Sequence, residues 1–237
     1  VYTQGAVAVT VIREMSINSG TGLADSRARL AVYDASAKEV WSLPQLGAQQ
    51  FYSASLTQQS VLVGKWPFGF RDNTLAAYDL GTGNRQWEIR GADLGFRALT
   101  HDESRMYVLV DSAEGSSIVS YDWRTGDEVW RWSDPQAVRP DDLALDGEHL
   151  YVLSVDRVVA LDPFTGTIKW MVGFDSAPEA GLAIRDDHLF IAPAPSSELG
   201  FRPGVVGLQT SDGSLRWHSL VGLLADPITV GTSVVWT

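Results

Sequence analysis

The sequence predicts an all-β fold of repeated four-stranded antiparallel sheets, and three observations support it. A pattern of apolar strand, Asp, polar turn and returning Trp recurs along the chain of 237 residues. The recurring Trp residues are separated by 46, 43, 40 and 47 positions (Trp41, Trp87, Trp130, Trp170 and Trp217). No segment keeps an apolar period of about 3.6 residues over a helical length. Four short strands at this repeat length are typical of the blades of a β-propeller.

The second half of each unit explains the residues of the pattern. Runs of Val, Ile, Leu and Tyr favour a strand, and Asp at its end can accept hydrogen bonds from backbone N–H groups of the turn. Gly then takes the left-handed conformation that closes the hairpin. The repeat Asp residues are Asp34, Asp79, Asp122 and Asp162, and Gln209 stands at the fifth position. The returning Trp offers a large surface for packing between neighbouring sheets.

A second hairpin precedes each of these, so a unit holds four strands, which we label A to D. Residues 143–145, the turn at Asp146 and residues 150–153 form the clearest A–B hairpin. The units are expected at approximately residues 1–48, 49–92, 93–136, 137–176 and 177–222, with strands A and B of a sixth in 223–237. We therefore predict one β-propeller domain over 1–237 with about five and a half blades, a fragment of a larger propeller.

Composition narrows the function classes. The net charge of −11 disfavours nucleic acid as a partner, because phosphate backbones are repelled by a field of this sign. The sequence has no Cys, which excludes disulfides, thiolate metal sites and a Cys nucleophile from this stretch. No stretch of 18 apolar residues occurs, so no transmembrane segment is predicted here.

The repeat resembles a known family. Ala160-x-Asp162-x-x-Thr165-Gly166-x-x-x-Trp170 resembles the tryptophan-docking repeat of the quinoprotein-like β-propellers, which include PQQ-dependent dehydrogenases and BamB-like envelope proteins. Residues 77–87 match equally well, and residues 120–130 differ only by Ser in place of Ala. The resemblance implies a propeller of seven or eight blades. It also implies an extracytoplasmic location, at the cell envelope or secreted, with any signal or anchor outside this stretch.

Quinone chemistry is the enzymatic alternative that the resemblance raises. The dehydrogenases of the family hold PQQ and Ca²⁺ over the central channel with a catalytic Asp and Glu or Asn ligands, often beside a pair of adjacent Cys residues. This sequence has no Cys, and its units are near the minimum length for a blade. No motif places the acidic and amide ligands. We therefore predict no catalytic residue, no cofactor and no metal.

The loops between strands B and C point to a recognition surface. The tight connection at 155–157 contrasts with insertions at 14–28, 65–73 and 193–204. In a propeller, the B–C and D–A loops share one face, and the A–B and C–D turns share the other. Length variation concentrated on one face is typical of a binding surface on a rigid scaffold.

Three connections predicted on that face carry the sequence Gly-Phe-Arg, and two further aromatic residues accompany the first. Aromatic residues and Arg dominate the energetics of protein interfaces. The predicted partner-binding residues are Trp66, Phe68, Phe70, Arg71, Phe96, Arg97, Phe201 and Arg202. The alternative is that each Phe packs under its own loop and each Arg is solvated.

The remaining candidate residues are interpreted structurally. The repeat Asp residues lie one per unit, whereas paired-carboxylate catalysis needs two carboxyls within about 10 Å, so we interpret them as turn caps. The four His residues share no metal-ligand spacing and are expected to be solvated turn residues (His101, His149, His188 and His218).

The preferred function is a non-catalytic extracytoplasmic scaffold that binds a protein or peptide partner through its loop face. A ligand-sensing ectodomain of a larger membrane-anchored receptor is the first alternative, and a PQQ-dependent oxidoreductase is the second.

Overall fold

The fold is all-β, as predicted. The computed structural model describes residues 2–4, 7–17, 24–43, 50–67, 73–91, 94–136, 139–174, 181–191, 205–219, 227–230 and 233–236. These residues form 22 strands and include no helix. No helix capable of crossing a membrane is therefore found among them.

The strands form five four-stranded sheets and one two-stranded sheet. The first contains β1 (Tyr2–Gln4), β2 (Val7–Ile17), β3 (Ala24–Tyr33) and β4 (Glu39–Ser42). The second contains β5 (Gln50–Leu56), β6 (Ser60–Pro67), β7 (Asn73–Asp79) and β8 (Arg85–Gly91). The third contains β9 (Gly95–His101), β10 (Arg105–Ser112), β11 (Gly115–Asp122) and β12 (Glu128–Trp132). The fourth contains β13 (Pro140–Leu145), β14 (Leu150–Ser154), β15 (Arg157–Leu161) and β16 (Ile168–Gly173). The fifth contains β17 (Ala183–Arg185), β18 (His188–Ile191), β19 (Val205–Gln209) and β20 (Leu215–Ser219), and the last contains β21 (Pro227–Val230) and β22 (Ser233–Trp236).

Within every sheet the strands lie in chain order, each beside the next. The fourth sheet illustrates the pairing, with β14 antiparallel to both β13 and β15. This is the predicted A-to-D arrangement. Because successive strands alternate in direction, the A–B and C–D turns lie at one end of a sheet and the B–C connection lies at the other.

The described parts of two predicted loop insertions are strand. In the first sheet, pairing between β2 and β3 runs from Ala8↔Tyr33 to Ile17↔Ala24, so most of the expected insertion at 14–28 extends the hairpin. In the second sheet, β6 continues to Pro67 before the chain leaves the described residues. The expected insertion at 193–204 lies outside the described residues. Continued ladder hydrogen bonding explains both extensions, since it satisfies backbone groups that a loop would leave to water.

The chain divides into two compact units, residues 1–114 with 119–129 and residues 115–118 with 130–237. In the first unit, buried residues of the second and third sheets form one core cluster that includes Leu62, Leu75, Met106, Val108 and Tyr121. In the second unit, the fourth and fifth sheets meet in a cluster that includes Tyr151, Leu153, Val158, Leu189 and Ile191. The single domain expected over the whole chain stays a prediction.

A repeated indole hydrogen bond joins neighbouring sheets within each unit. Four repeat Trp residues donate Nε1–H to a backbone carbonyl in the C–D turn of the following sheet. The bonds are Trp41 to Leu80 at 2.9 Å, Trp87 to Trp123 at 2.8 Å, Trp130 to Pro163 at 3.0 Å and Trp170 to Thr210 at 2.8 Å. The accepting residue always directly follows the repeat Asp or, in the fifth sheet, Gln209.

The same indoles lie directly on the Gly of the accepting turn. These Gly residues have left-handed φ values of 71° to 82° (Gly83, Gly126, Gly166 and Gly213). A Cβ atom at Gly166 would lie 2.7 Å from Cε3 of Trp130, closer than real contacts allow. Gly is therefore required at this position for two reasons: its backbone conformation and the close approach of the indole.

Replacing Gly166 tests this double requirement. We expect Gly166→Ala to lower the free energy of unfolding by about 2 kcal/mol or more, because strain at a positive φ adds to the clash with Trp130. Gly147→Ala is the matched control, since a Cβ there meets nothing within 4 Å. Urea unfolding of both variants measures the difference, and equal stabilities would contradict the requirement.

Replacing the indole tests the contact from the other side. Trp170→Ala removes the bond to Thr210 and the packing on Gly213, so we expect a loss of about 3 kcal/mol. The control is Trp217→Ala, because that side chain is 38% exposed and its loss is expected to be less than half as large. Thermal unfolding measures the midpoints of the two variants. An equal decrease of both midpoints would contradict the docking role of Trp170.

Candidate functional site

The repeat Asp carboxylates are tied into their own turns. Oδ1 of Asp79 accepts hydrogen bonds from the backbone N–H of Gly81 and of Thr82, at 3.1 and 2.8 Å, and from the Thr82 hydroxyl at 2.8 Å. Asp34, Asp122 and Asp162 accept equivalent bonds from backbone N–H groups two to four residues later. Each carboxylate is therefore engaged by the backbone of its own turn.

Their electrostatics match that structural use. The Lys169 ammonium, 2.9 Å from Oδ2 of Asp162, and two turn N–H groups lower the pKa of Asp162 to about 2, although partial burial opposes them. Hydrogen bonds within the turns also lower the pKa of Asp34 and of Asp79. Such carboxylates are unprotonated at neutral pH and poor proton acceptors, so they are unsuited to general acid–base chemistry.

The side chains of the described residues do not form a ligand set for a quinone with Ca²⁺. Among the described residues, no group of three or more His, Asp or Glu side chains is placed to hold a metal ion. The turn carboxylates that could have served as ligands are already occupied by backbone N–H groups.

The structure places few of the predicted partner-binding side chains. Trp66 lies on β6, where its backbone pairs with Phe51 of β5. The segment Gly95-Phe96-Arg97 begins strand β9 and is not part of the D–A loop, which corrects its predicted location. The other five lie outside the described residues (Phe68, Phe70, Arg71, Phe201 and Arg202).

The structure removes Phe96 from the binding surface. Its side chain is only 1% exposed and belongs to the core cluster of the first unit, with Leu62 and Met106. A strand that begins at Gly95 turns this ring toward the neighbouring sheet. The Phe of this Gly-Phe-Arg segment is thus a core residue.

Part of the loop face of the second unit is fixed by a buried ion pair. The Arg157 guanidinium, next to the tight B–C turn, contacts both carboxylate oxygens of Asp156 at 2.8 Å. Its Nη1 lies 3.7 Å from Oδ2 of Asp134, whose side chain is 2% exposed. Gln136 accepts a further bond from Nη2 of Arg157. Such a network holds the B–C turn against the loop that follows β12.

A cleft lies at the opposite ends of the strands, between the turns of the second and third sheets in the first unit. It has a volume of about 560 Å³. Two A–B turns and one C–D turn line it, through Leu56, Thr57, Gln58, Gln59, His101, Asp102, Glu103, Trp123 and Arg124. Leu56, Thr57 and Trp123 are buried, whereas Gln58, Gln59, Glu103 and Arg124 are exposed at its rim.

The His residue of the cleft is not the solvated turn residue expected from the sequence. Nδ1 of His101 lies 3.2 Å from the Ser55 hydroxyl, and burial lowers the pKa of His101 below its ordinary value. The imidazole is therefore neutral at neutral pH. His149 departs from the same expectation, because it is only 8% exposed. The side chain of His218 lies outside the described residues.

Asp102 organises the cleft wall. Its Oδ1 accepts bonds from the backbone N–H of Ser104 and of Arg105 at 2.7 Å, and its Oδ2 accepts one from the Tyr107 hydroxyl at 2.6 Å. Burial raises the pKa of Asp102, but these bonds outweigh it, so the net effect is a lowered pKa. The same Asp–Tyr contact recurs at 2.6 Å between Asp146 and Tyr151.

Comparison with known proteins settles the family. Residues 16–131 and 114–235 each match the family described as outer membrane protein assembly factor BamB. The chain belongs to this BamB family. None of the curated protein sequences compared with the chain matches it.

Solved structures share the fold of this BamB-family chain at low identity. BamB from Moraxella catarrhalis is 16% identical with a TM-score of 0.58, and the match covers 97% of this chain and 71% of that protein. The computationally designed Ika8 protein is 14% identical with a TM-score of 0.67, covering 94% of this chain and 66%, slightly under two thirds, of the designed chain. A protein of unknown function from Bacteroides caccae is 15% identical with a TM-score of 0.53, covering 82% of this chain and 69% of that one. At these identities the likeness shows the fold alone, and it confirms the predicted β-propeller.

The cleft was not predicted from the BamB-like repeat, although one feature of the sequence pointed to it. The two residues after the repeat Asp are Trp123 and Arg124 in the third sheet. In the other four sheets these positions hold Ala35-Ser36, Leu80-Gly81, Pro163-Phe164 and Thr210-Ser211. Only the third sheet has a large aromatic residue followed by a cation at these positions. The same turn also accepts the indole hydrogen bond of Trp87.

The contact between Lys169 and Asp162 yields a pH-dependent prediction. Lys169→Met removes the strongest influence on the Asp162 carboxylate, so its pKa is expected to rise from about 2 toward 3.8. Because the pKa is depressed by folding, the stabilisation is present above about pH 4 and is lost as the pH falls toward 2. Both side chains are partly exposed, so solvent screening keeps the stability difference small. A carboxyl NMR titration measures the shift, and an unchanged pKa would refute the assignment.

Proposed function

We propose that this BamB-family chain is a non-catalytic extracytoplasmic scaffold that binds a protein or peptide partner through the face of its B–C and D–A loops. The observation that carries the proposal is the family match, since the family is described by an outer membrane protein assembly factor. Such a factor acts together with other proteins at the cell envelope. That description supports both the kind of partner and the location.

The physical properties of the described residues favour binding over catalysis. The repeat Asp carboxylates are engaged in turn hydrogen bonds, and the lowered pKa of Asp162 removes it from proton transfer at neutral pH. The sheets are joined by repeated indole contacts, which hold the strand ends in fixed positions. A rigid scaffold with variable loops reduces the ordering cost of binding a partner.

The residue types of the proposed face support protein recognition. Trp66, Phe70 and Phe201 are rigid aromatic side chains of the kind that anchor interfaces, and Arg71 and Arg202 are adjacent cations. The Arg157 network fixes neighbouring backbone in the second unit. Phe96 is not part of the proposal, because it is buried.

A pull-down from cell-envelope extract with the full chain as bait tests the proposal. We expect the double variant Phe70→Ala and Phe201→Ala to recover a specific protein partner about 10-fold less well than the wild type, a loss of hot-spot size. Phe164→Ala is the matched control, since this Phe is 61% exposed in a C–D turn at the opposite strand ends. Its recovery of the partner should equal that of the wild type.

The other outcomes separate the alternatives. Equal recovery by all three proteins would move the partner away from the loop face. Failure to recover any partner, with binding of a small molecule instead, would favour the ligand-sensing ectodomain. A quinone chromophore retained after addition of PQQ and Ca²⁺ would favour the oxidoreductase.

A further inference from the structure

We propose that the cleft of the first unit is a second binding site, for a carboxylate carried by a peptide segment. It lies at the A–B and C–D turns, so it is distinct from the loop face and does not rest on the function proposed for that face. Arg124 is the anchor of this site. The argument for a carboxylate begins with how that side chain is held.

Arg124 is positioned by two contacts that are not ion pairs. Its guanidinium lies 4.4 Å from the centroid of the Trp123 ring. Its Nη2 donates a hydrogen bond to the backbone carbonyl of Glu103 at 3.0 Å. One donor of the guanidinium is therefore used and the others stay available. A planar guanidinium held in place suits bidentate binding of a carboxylate, with little ordering cost.

Other arginines of the first unit form ion pairs with carboxylates, whereas Arg124 is held without one. Arg29 forms an ion pair with Glu39 at 3.0 Å, and Arg85 and Arg90 both pair with Glu88. Within the described part of the chain, no carboxylate lies within ion-pair distance of Arg124. The sequence has 29 acidic and 18 basic residues, so carboxylates are in surplus, yet none of those in the described residues pairs with this cation.

The acidic residues of the cleft do not take that role. The Asp102 carboxylate already accepts bonds from the Ser104 and Arg105 backbone, from the Ser104 hydroxyl and from Tyr107. Glu103 contacts Arg124 through its backbone carbonyl and is exposed. A carboxylate from a ligand could therefore pair with Arg124 without displacing an internal partner.

The rest of the cleft adds hydrogen-bond donors and an apolar floor. The Nε1–H of Trp123 is buried and has no hydrogen-bond partner among the described residues, and the side chain as a whole is 7% exposed. The carboxamides of Gln58 and Gln59 lie at the rim, where they can pair with peptide groups. Leu56 provides apolar contact. Exposed carboxamide donors beside the buried side chains of Leu56 and Trp123 suit a carboxylate and its neighbouring peptide.

The size of the cleft limits the ligand. A volume of about 560 Å³ lies within the usual range of small-ligand sites, about 300–1,000 Å³. It can hold a carboxylate with one or two adjoining residues. The carboxylate could come from an acidic side chain or from a free C-terminus, and the two sources share the same chemistry at Arg124.

Three short peptides separate these sources in a titration of the ¹⁵N-labelled chain. They are N-acetyl Ala-Leu-Glu-Leu-Ala amide, its Gln counterpart as the amide, and the Gln counterpart with a free C-terminus. The indole N–H resonance of Trp123, assigned with Trp123→Phe, reports binding. We expect at least one carboxylate peptide to bind about 10-fold or more tightly than the uncharged one. Preference for one carboxylate peptide assigns the source.

Variants of the anchor complete the test. Arg124→Gln should weaken the carboxylate peptide about 10-fold, and Arg124→Lys should retain part of the affinity, since Lys keeps the charge but not the planar fork. Arg29→Gln is the matched control and should bind as the wild type does. The proposal is overturned if the uncharged peptide binds as tightly, if Arg124→Gln has no effect, or if no peptide binds at millimolar concentration.

Discussion

The contact between an indole and the next C–D turn is the interaction on which the rest of the structure depends. One turn provides both halves of it, a carbonyl that accepts Nε1–H and a Gly with no side chain under the ring. The repeat Asp shapes that turn by accepting its backbone N–H groups. The repeat Asp, Gly and Trp are therefore structurally coupled. Removal of the Asp or the Gly would disturb the turn against which the Trp of the preceding sheet packs.

This constraint also explains why an acidic chain with many turn carboxylates lacks an evident reaction centre among its described residues. A carboxylate that accepts several N–H bonds is stabilised as an anion, as the lowered pKa values of Asp79 and Asp162 show. The A–B turns use the same chemistry, with Asp102 and Asp146 each accepting a Tyr hydroxyl. Many of the described Asp carboxylates thus stabilise turns, which is consistent with a scaffold.

The sequence predicted what is encoded locally and missed what depends on register. Strand periodicity, the turn Asp and the turn Gly recur in most of the sheets, so the four-stranded sheets and their turns followed from them. The Gly-Phe-Arg segment at Phe96 looked like a loop, but its pairing with Val110 across a bulge makes it strand and turns its ring inward. The three turns of the cleft are spread over 68 positions of the sequence, from Leu56 to Arg124, and no local pattern predicts that they lie together.

Trp123 connects the fold to the proposed second site. Its backbone carbonyl receives the indole of Trp87, while its own ring carries the Arg124 guanidinium. The contact that joins the second and third sheets therefore also sets the position of the anchor. Because this position is fixed by folding, a ligand carboxylate would meet a guanidinium that is already oriented, and little of the binding free energy would be spent on ordering it. The repeat thus stabilises the scaffold. In the third sheet, where Trp123 and Arg124 depart from the pattern, it also holds the Arg124 guanidinium in a fixed position.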